Sequence, residues 1–242
     1  MKKFFIIIFC LFISISVYAE EEDDFITSEL NKHVESGFKY MEEKSFDNAE
    51  KEFLEALNYS RDMLIIYDLL SQCYVQAHNY SKLKENSEQA LRISTVSNDK
   101  RFMAVFYSNL ALAYWQGDKD YDKAIKFYKL IINKYMDNSF WGNPKDERMK
   151  YFVFNYLGCC YFFKNEYQEA IDNIEKSLKY FELFEDKPSS ESLKNYYFFS
   201  KSYYELKDYE SGYKFAEKAL SIDPNNNDAK KVLEDCKIQL KK

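Results

Sequence analysis

Leu157-Gly158-Cys159-Cys160-Tyr161, with Tyr167 six residues on and Ala170 after it, is the stretch that decides the fold. It places a small residue, an aromatic three positions later, a second aromatic beyond a short gap, and another small residue three further on. At helical spacing the first small residue and the first aromatic share one face. The second aromatic and second small residue do the same after a turn. Two helices that cross closely need a small residue where their backbones meet, so the stretch reads as a helix–turn–helix.

The pattern recurs along the chain. One copy has Gly37, Tyr40, Phe46 and Ala49, followed by Phe53 and Ala56. A second has Ser71, Tyr74, Tyr80 and Leu83, followed by Ala90 and Leu91. A third has Leu110-Ala111, Tyr114, Tyr121 and Ala124, followed by Tyr128 and Ile131. The opening stretch is the fourth, continued by Ile174 and Leu178. The fifth has Phe199-Ser200, Tyr203, Tyr209 and Gly212, followed by Ala216, Ala219, Leu220 and Pro224. Pro144, Pro188 and Pro224 all fall between helix pairs, where they break no helix interior. No stretch alternates as a strand. The fold class expected is all-α, an α-α solenoid of about five helix pairs.

This frame resembles the tetratricopeptide repeat, whose pattern of Leu-Gly, Tyr, Ala, Phe, Ala and Pro runs over about 34 residues. The resemblance covers residues 30–226, with copies at about 30–63, 64–97, 104–138, 151–184 and 193–226. From Ala49 the equivalent position steps by 34 residues to Leu83, then by 41 to Ala124, 46 to Ala170 and 42 to Gly212. The extra residues fall around Ser94–Lys100, Asp137–Asp146 and Glu185–Glu191, and are read as lengthened helices with longer loops. Residues 227–242 form a last amphipathic helix with Ala229, Val232, Leu233, Cys236 and Leu240 on its apolar face. Such a helix covers the open end of a repeat stack.

The first residues are a different object. Lys2 and Lys3 precede the apolar run Phe4–Val17, Val17-Tyr18-Ala19 offers small residues for cleavage, and acidic residues follow from Glu20. Residues 1–19 read as a secretory signal peptide, and 20–29 as an acidic N-terminal segment. The run is shorter than the roughly 20 residues a membrane span needs. Membrane association is expected only if the signal is left uncleaved. The expected location is outside the cytoplasm, periplasmic or secreted.

Removing Lys2 and Lys3 takes the 34 basic residues to 32 against 40 acidic ones, a net charge of −8 in place of −6. That balance argues against nucleic acid as a partner. Cys73, Cys159, Cys160 and Cys236 remain after cleavage. The repeat frame sets Cys73 and Cys160 too far apart for a disulfide, and the thiols are expected to be buried small hydrophobes. The two histidines, His33 and His78, lie away from Cys159 in the frame, so a Cys–His nucleophile is not expected. No Cys-x-x-Cys or His-x-x-x-His spacing suggests zinc, and no Gly-rich phosphate loop exists. Catalytic residues, metal and cofactor are therefore expected to be absent, and the chain is expected not to be an enzyme.

What the resemblance implies about binding is more specific. In tetratricopeptide proteins the first helices of the pairs line a concave groove that takes an extended peptide or a partner helix. By register the groove positions are Ser108, Asn109, Leu112, Trp115 and Gln116 in copy three. In copy four they are Phe152, Asn155, Tyr156, Cys159, Phe162 and Phe163, and in copy five Lys194, Tyr197, Lys201, Tyr204 and Glu205. Asn109 and Asn155 are the amides suited to a peptide backbone. Lys194 and Lys201 suit an acidic side chain or a terminal carboxylate. The family's carboxylate clamp is absent from its usual first-repeat positions, which are Val34 and Phe38 here. The expected function is a non-catalytic scaffold or adaptor of the cell envelope or exterior, with a protein or peptide as partner. The alternative is an envelope-biogenesis or chaperone-like accessory factor that holds unfolded or wall-associated clients. A covered groove, with its aromatics serving as ordinary core, is the other reading of the same residues.

Overall fold

A computed structural model describes residues 21–60, 63–136, 145–183 and 190–241. The expected signal peptide lies outside them. The described residues form eleven α-helices and contain no strand. In chain order these are α1 (Glu21–Glu42), α2 (Phe46–Ala56), α3 (Met63–Gln76), α4 (Tyr80–Ser97), α5 (Lys100–Leu112), α6 (Tyr121–Tyr135), α7 (Lys145–Phe163), α8 (Tyr167–Phe181), α9 (Ser190–Glu205), α10 (Tyr209–Ile222) and α11 (Asn227–Leu240). One π-helical turn, Ala113–Asp118, continues α5. The helices start where polar caps stand in the sequence. The side chains of Asn79, Asp99, Asp120, Asp208 and Asn226 each accept a hydrogen bond from a backbone N–H of the first turn they precede.

The chain divides into two compact units, residues 1–73 and 74–242. In the first, α1 packs on α2. Gly37 makes this possible, because a Cβ there would lie 2.5 Å from the Phe53 ring. Phe53, Ala49 and Ala56 are fully buried in that contact. The Cys73 thiol of α3 donates to the Phe46 carbonyl at the start of α2.

In the second unit each helix packs on the next, from α4 through α11, and α11 also touches α9. This nearest-neighbour pattern is that of an α-α solenoid. The tightest crossing is α7 on α8. A Cβ on Gly158 would stand 2.6 Å from Ile174 Cγ1 and 3.1 Å from the Ala170 carbonyl oxygen. Gly212 repeats the device in milder form between α10 and α9, where a Cβ would stand 3.0 Å from the Cys236 thiol and 3.2 Å from the Ser200 carbonyl oxygen. At the end of the stack α11 buries Ala229, Val232 and Cys236, while Leu240 and Ile238 stay exposed.

The turn inside each pair is closed by one repeated hydrogen bond. The carbonyls of Tyr40, Tyr74, Tyr161 and Tyr203 accept from the N–H five residues on, at Ser45, Asn79, Glu166 and Asp208. In each case the residue before the donor is left-handed: Lys44, His78, Asn165 and Lys207 have φ between 54° and 65°. The third copy differs. Tyr114 and Tyr121 are seven residues apart, where the other copies have six. The extra residue is absorbed as the π turn, and Tyr114 accepts from Asp120, six residues on. Gly117 lies in that turn, where a Cβ would meet Tyr80 Cβ at 2.7 Å. Beside it an open depression of about 550 Å³ is lined by His78, Asn79, Tyr80, Ser81, Lys84 and Asp118.

The lengthening expected near Ser94–Lys100 is seen as the 18-residue α4, ended by left-handed Asn98 and followed at once by Asp99, the cap of α5. The residues that lengthen the later linkers fall largely in 137–144 and 184–189, outside the described residues. α1 begins at Glu21, so the acidic stretch is helical from there.

Two substitutions separate these effects. Gly158→Ala forces a methyl against Ile174 and the Ala170 carbonyl, and is expected to cost about 2–3 kcal/mol. Lys207→Gly relieves a left-handed lysine and is expected to gain about 0.5–1 kcal/mol. Urea unfolding followed by circular dichroism measures both. Equal and negligible effects would refute the crossing argument.

Candidate functional site

The face built by the first helices of copies three to five carries the residues expected from the register. Leu112, with the π turn after it, supplies one edge, α7 the middle and α9 the other edge. The rings form two clusters, each spanning neighbouring copies. Trp115 packs on Tyr156 with centroids 5.2 Å apart, and Tyr156 also meets Phe152 at 5.8 Å and Tyr128 at 6.2 Å. Further along, Phe162 meets Phe198 of α9 at 4.8 Å. Phe163 stacks on Tyr121 at 5.7 Å and meets Phe198 edge-on. Tyr197 adjoins Phe198 at 5.5 Å.

This mutual packing grades the face by depth. Trp115, Asn155 and Cys159 are buried. Leu112, Phe152, Tyr156, Phe162, Tyr197 and Tyr204 are half-buried. Phe163 is the most open of the aromatics, at 46%. Neighbouring first helices stand close enough for a ring on one to lean on a ring of the next.

The amides are turned inward. Asn155 Oδ1 accepts the Cys159 thiol at 3.7 Å. Asn109 Nδ2 is shielded from solvent and has no hydrogen-bond partner. The Tyr128 hydroxyl is likewise buried and unpartnered, and burial first, with the neighbouring thiols adding, pushes the phenol well above its ordinary range. Burial also raises the Cys160 thiol strongly, so it stays protonated. Lys201 is already engaged: its ammonium pairs with Glu205 Oε1 at 2.6 Å and sits 4.9 Å from the centre of the Tyr204 ring. The side chain of Lys194 lies outside the described residues.

The turn edges of the second unit are tied by ions. Lys84 pairs with Asp118 at 2.8 Å and lies over Tyr114, while Lys164 bridges Asp122 and Glu166 at 2.7 Å each. Lys84–Asp118 and Lys164–Asp122 each join one copy to the next at the surface.

Among the described residues no group of three or more His, Cys, Asp and Glu side chains is placed to hold a metal ion. No helix among them is long and apolar enough to cross a membrane.

A tetratricopeptide-repeat profile matches residues 154–182 and 193–226. The two matched segments are the fourth and fifth copies, each holding its pair of helices. No curated protein matches the chain. Among solved structures, the apo form of the quorum sensor NprR from B. thuringiensis is similar at 13% identity, over 89% of this chain and 58% of that one, with a TM-score of 0.67. A signal-transduction ATPase with a tetratricopeptide-repeat sensor from Pyrococcus horikoshii aligns over 86% of this chain and 32% of its own, at 21% identity and a TM-score of 0.62. YrrB, described as a tetratricopeptide-repeat protein with an unusual peptide-binding site, aligns over 84% of this chain and 90% of its own, at 14% identity and 0.53. At these identities the likeness establishes the shared fold.

One functional-register residue escaped the sequence reading. In the second copy, Asp68 and Gln72 of α3 stand where Asn155 and Cys159 stand in the fourth, counted from Ser71 and Gly158. Gln72 Nε2 donates to Asp68 Oδ2 at 3.0 Å. Burial raises the Asp68 carboxyl from 3.8 to about 6, and the Gln72 hydrogen bond opposes it. The only available signal was a lone acid among Leu64, Ile66, Tyr67, Leu69 and Leu70, all buried.

The folded state therefore holds the Asp68 proton more tightly than the unfolded chain does. Its penalty is absent below about pH 4, grows as pH rises, and is complete above about pH 6. Asp68→Asn is expected to stabilise the protein at pH 7 by about 2 kcal/mol and to flatten stability between these limits. Urea unfolding at pH 4 and pH 7 measures it. An unchanged pH profile in the variant would show that Asp68 is not the group responsible.

Proposed function

We propose that the chain is an exported, non-catalytic interaction scaffold. It binds a peptide or helix of another protein across the first-helix face of copies three to five. The observation that carries this reading is the graded aromatic face itself. Trp115 is buried, Tyr156, Phe162, Tyr197 and Tyr204 are half-buried, and Phe163 is open. Rings held rigidly by other rings lose little freedom when a partner covers them, which is the character of a binding hot spot. The basic start, apolar run and small residues of 1–19 support export to the periplasm or the exterior. The fold is shared with a protein described as having a peptide-binding site, which agrees with a peptide as partner.

The burial of Trp115 guides the choice of variant, because removing it strikes the core. Phe163→Ser with Tyr197→Ser and Tyr204→Ser removes exposed and half-buried ring area and spares Trp115. Tagged residues 20–242 are crosslinked in the source cell envelope, beside this triple variant shown by circular dichroism to be folded. One or two proteins captured by the parent and lost in the variant are expected. An unchanged captured set would move the interaction off this face.

A further inference from the structure

Five positions after the small crossing residue, the copies carry Glu42, Gln76, Gln116, Phe163 and Glu205, counted from Gly37, Ser71, Ala111, Gly158 and Ser200. The fourth copy alone has a ring there; the others are polar. The position ends the first helix in every copy but the third, where it lies in the π turn. Phe163 does not answer a need of the core, since 46% of it is exposed.

The ring is nonetheless held. It stacks on Tyr121 of α6 with planes 11° apart, and meets Phe198 of α9 at 5.9 Å and Phe162 at 5.5 Å, both edge-on. Phe162 in turn meets Tyr167 at 6.0 Å. Tyr121, Phe162, Tyr167 and Phe198 are half-buried. A lone apolar side chain on a surface needs no explanation. Phe163 is not alone: it tops a cluster drawn from copies three, four and five, with other rings fixing it and its remaining area in solvent.

The charged groups beside the cluster already have partners. Lys164 follows Phe163 in the chain and bridges Glu166 and Asp122, the residue after Tyr121, at 2.7 Å each. The Asp122 side chain is 81% exposed, so water screens what Lys164 leaves of its charge. Lys201 pairs with Glu205 at 2.6 Å. That pair lies by Tyr167, whose phenol is raised by burial first and Glu205 next, with Lys201 opposing. The Tyr167 hydroxyl donates to Asn165 Oδ1 at 2.8 Å. An ionic group would have to compete for these partners, whereas an apolar group gains by covering ring area. An apolar centre rimmed by satisfied polar groups has the anatomy of a contact core.

We propose that Phe163 is a specificity-determining residue of the binding face and selects an uncharged apolar side chain, leucine or phenylalanine in kind, from the bound peptide or helix. The inference rests on the face proposed above and names the chemistry that its fourth copy reads. Covering the open part of a ring that is already fixed buries apolar area at little cost in freedom. The other copies offer a polar side chain at this position, so the partner's apolar residue is placed at the fourth and sets the register of the segment around it.

The test titrates the probes acetyl-Ser-Ala-X-Ala-Ser-amide, with X leucine, phenylalanine, lysine or glutamate, into residues 20–242 labelled with 13C-phenylalanine. The leucine and phenylalanine probes are expected to shift the Phe163 and Phe198 ring signals saturably, at least about fivefold more tightly than the lysine and glutamate probes. Phe163→Gln installs the residue that the second and third copies carry there. It is expected to stay folded by circular dichroism and to weaken the apolar probes, read at Phe198, at least about fivefold. Phe163→Leu, which stays apolar, is expected to hold their binding within about twofold. Phe163→Glu, matching the fifth copy, replaces the glutamine variant if that is not folded. A lysine or glutamate probe that binds as tightly as the leucine probe overturns the proposal. So does an unchanged apolar affinity in Phe163→Gln, or a parent whose Phe163 ring no probe shifts. Sedimentation velocity covers the other occupant: a dimeric parent made monomeric by Phe163→Gln would assign the ring to a second copy and overturn the proposal too. If the apolar preference fails while the serine triple variant still loses its captured partner, the face stands and only this assignment falls.

Discussion

The approach of two backbones at Gly158 is the constraint on which the fourth copy depends. With no Cβ there, α7 settles against the Ala170 carbonyl and Ile174 of α8. That contact places Tyr161 so that its carbonyl can accept the Glu166 N–H and end the turn. Helix crossing, turn closure and the direction of the next helix are then one linked event. Gly37 over Phe53 and Gly212 beneath Cys236 and Ser200 show the same arrangement with different neighbours. Burial of apolar surface drives association without direction. The small residues choose the angle at which it occurs.

The third copy shows how far the arrangement tolerates insertion. One added residue between Tyr114 and Tyr121 leaves the following helix intact, because the π turn takes up the extra length before Asp120 caps α6. The Tyr114 carbonyl still accepts a closing hydrogen bond. Its ring then lies under two lysines, Lys84 at 4.4 Å and Lys123 at 5.0 Å. Lys84 is also the residue that ties the preceding copy to Asp118. The displaced turn and the regular turn of the fourth copy both carry ion pairs, Lys84 with Asp118 and Lys164 with Asp122 and Glu166.

Helix pairs and their turns were legible because each is written in local spacing: small residues at crossings and aromatics three positions away. The π turn was not read, although Tyr114 and Tyr121 lie seven residues apart where the other copies have six. Depth on the first-helix face was not. Register assigns Trp115 and Phe163 to one surface, yet one is 8% exposed and the other 46%. The difference is made by Tyr156 and Phe198, which belong to helices tens of residues away in the chain. The inward turn of the Asn109 amide and the pairing of Lys201 with Glu205 are equally products of packing. Asp68 was missed because an acid in an apolar run carries no periodic mark.

The four thiols of the described residues are 0–3% exposed and lie at separate points along the chain, Cys73 in the first unit, Cys159 and Cys160 in the middle of the second, and Cys236 in its last helix. A thiol sealed this way reacts only when its surroundings part. The protein thus carries its own set of chemical clocks for local opening. The rate at which each sulfur is alkylated is a stopwatch for the breathing of its own segment, readable without adding a label or changing a residue.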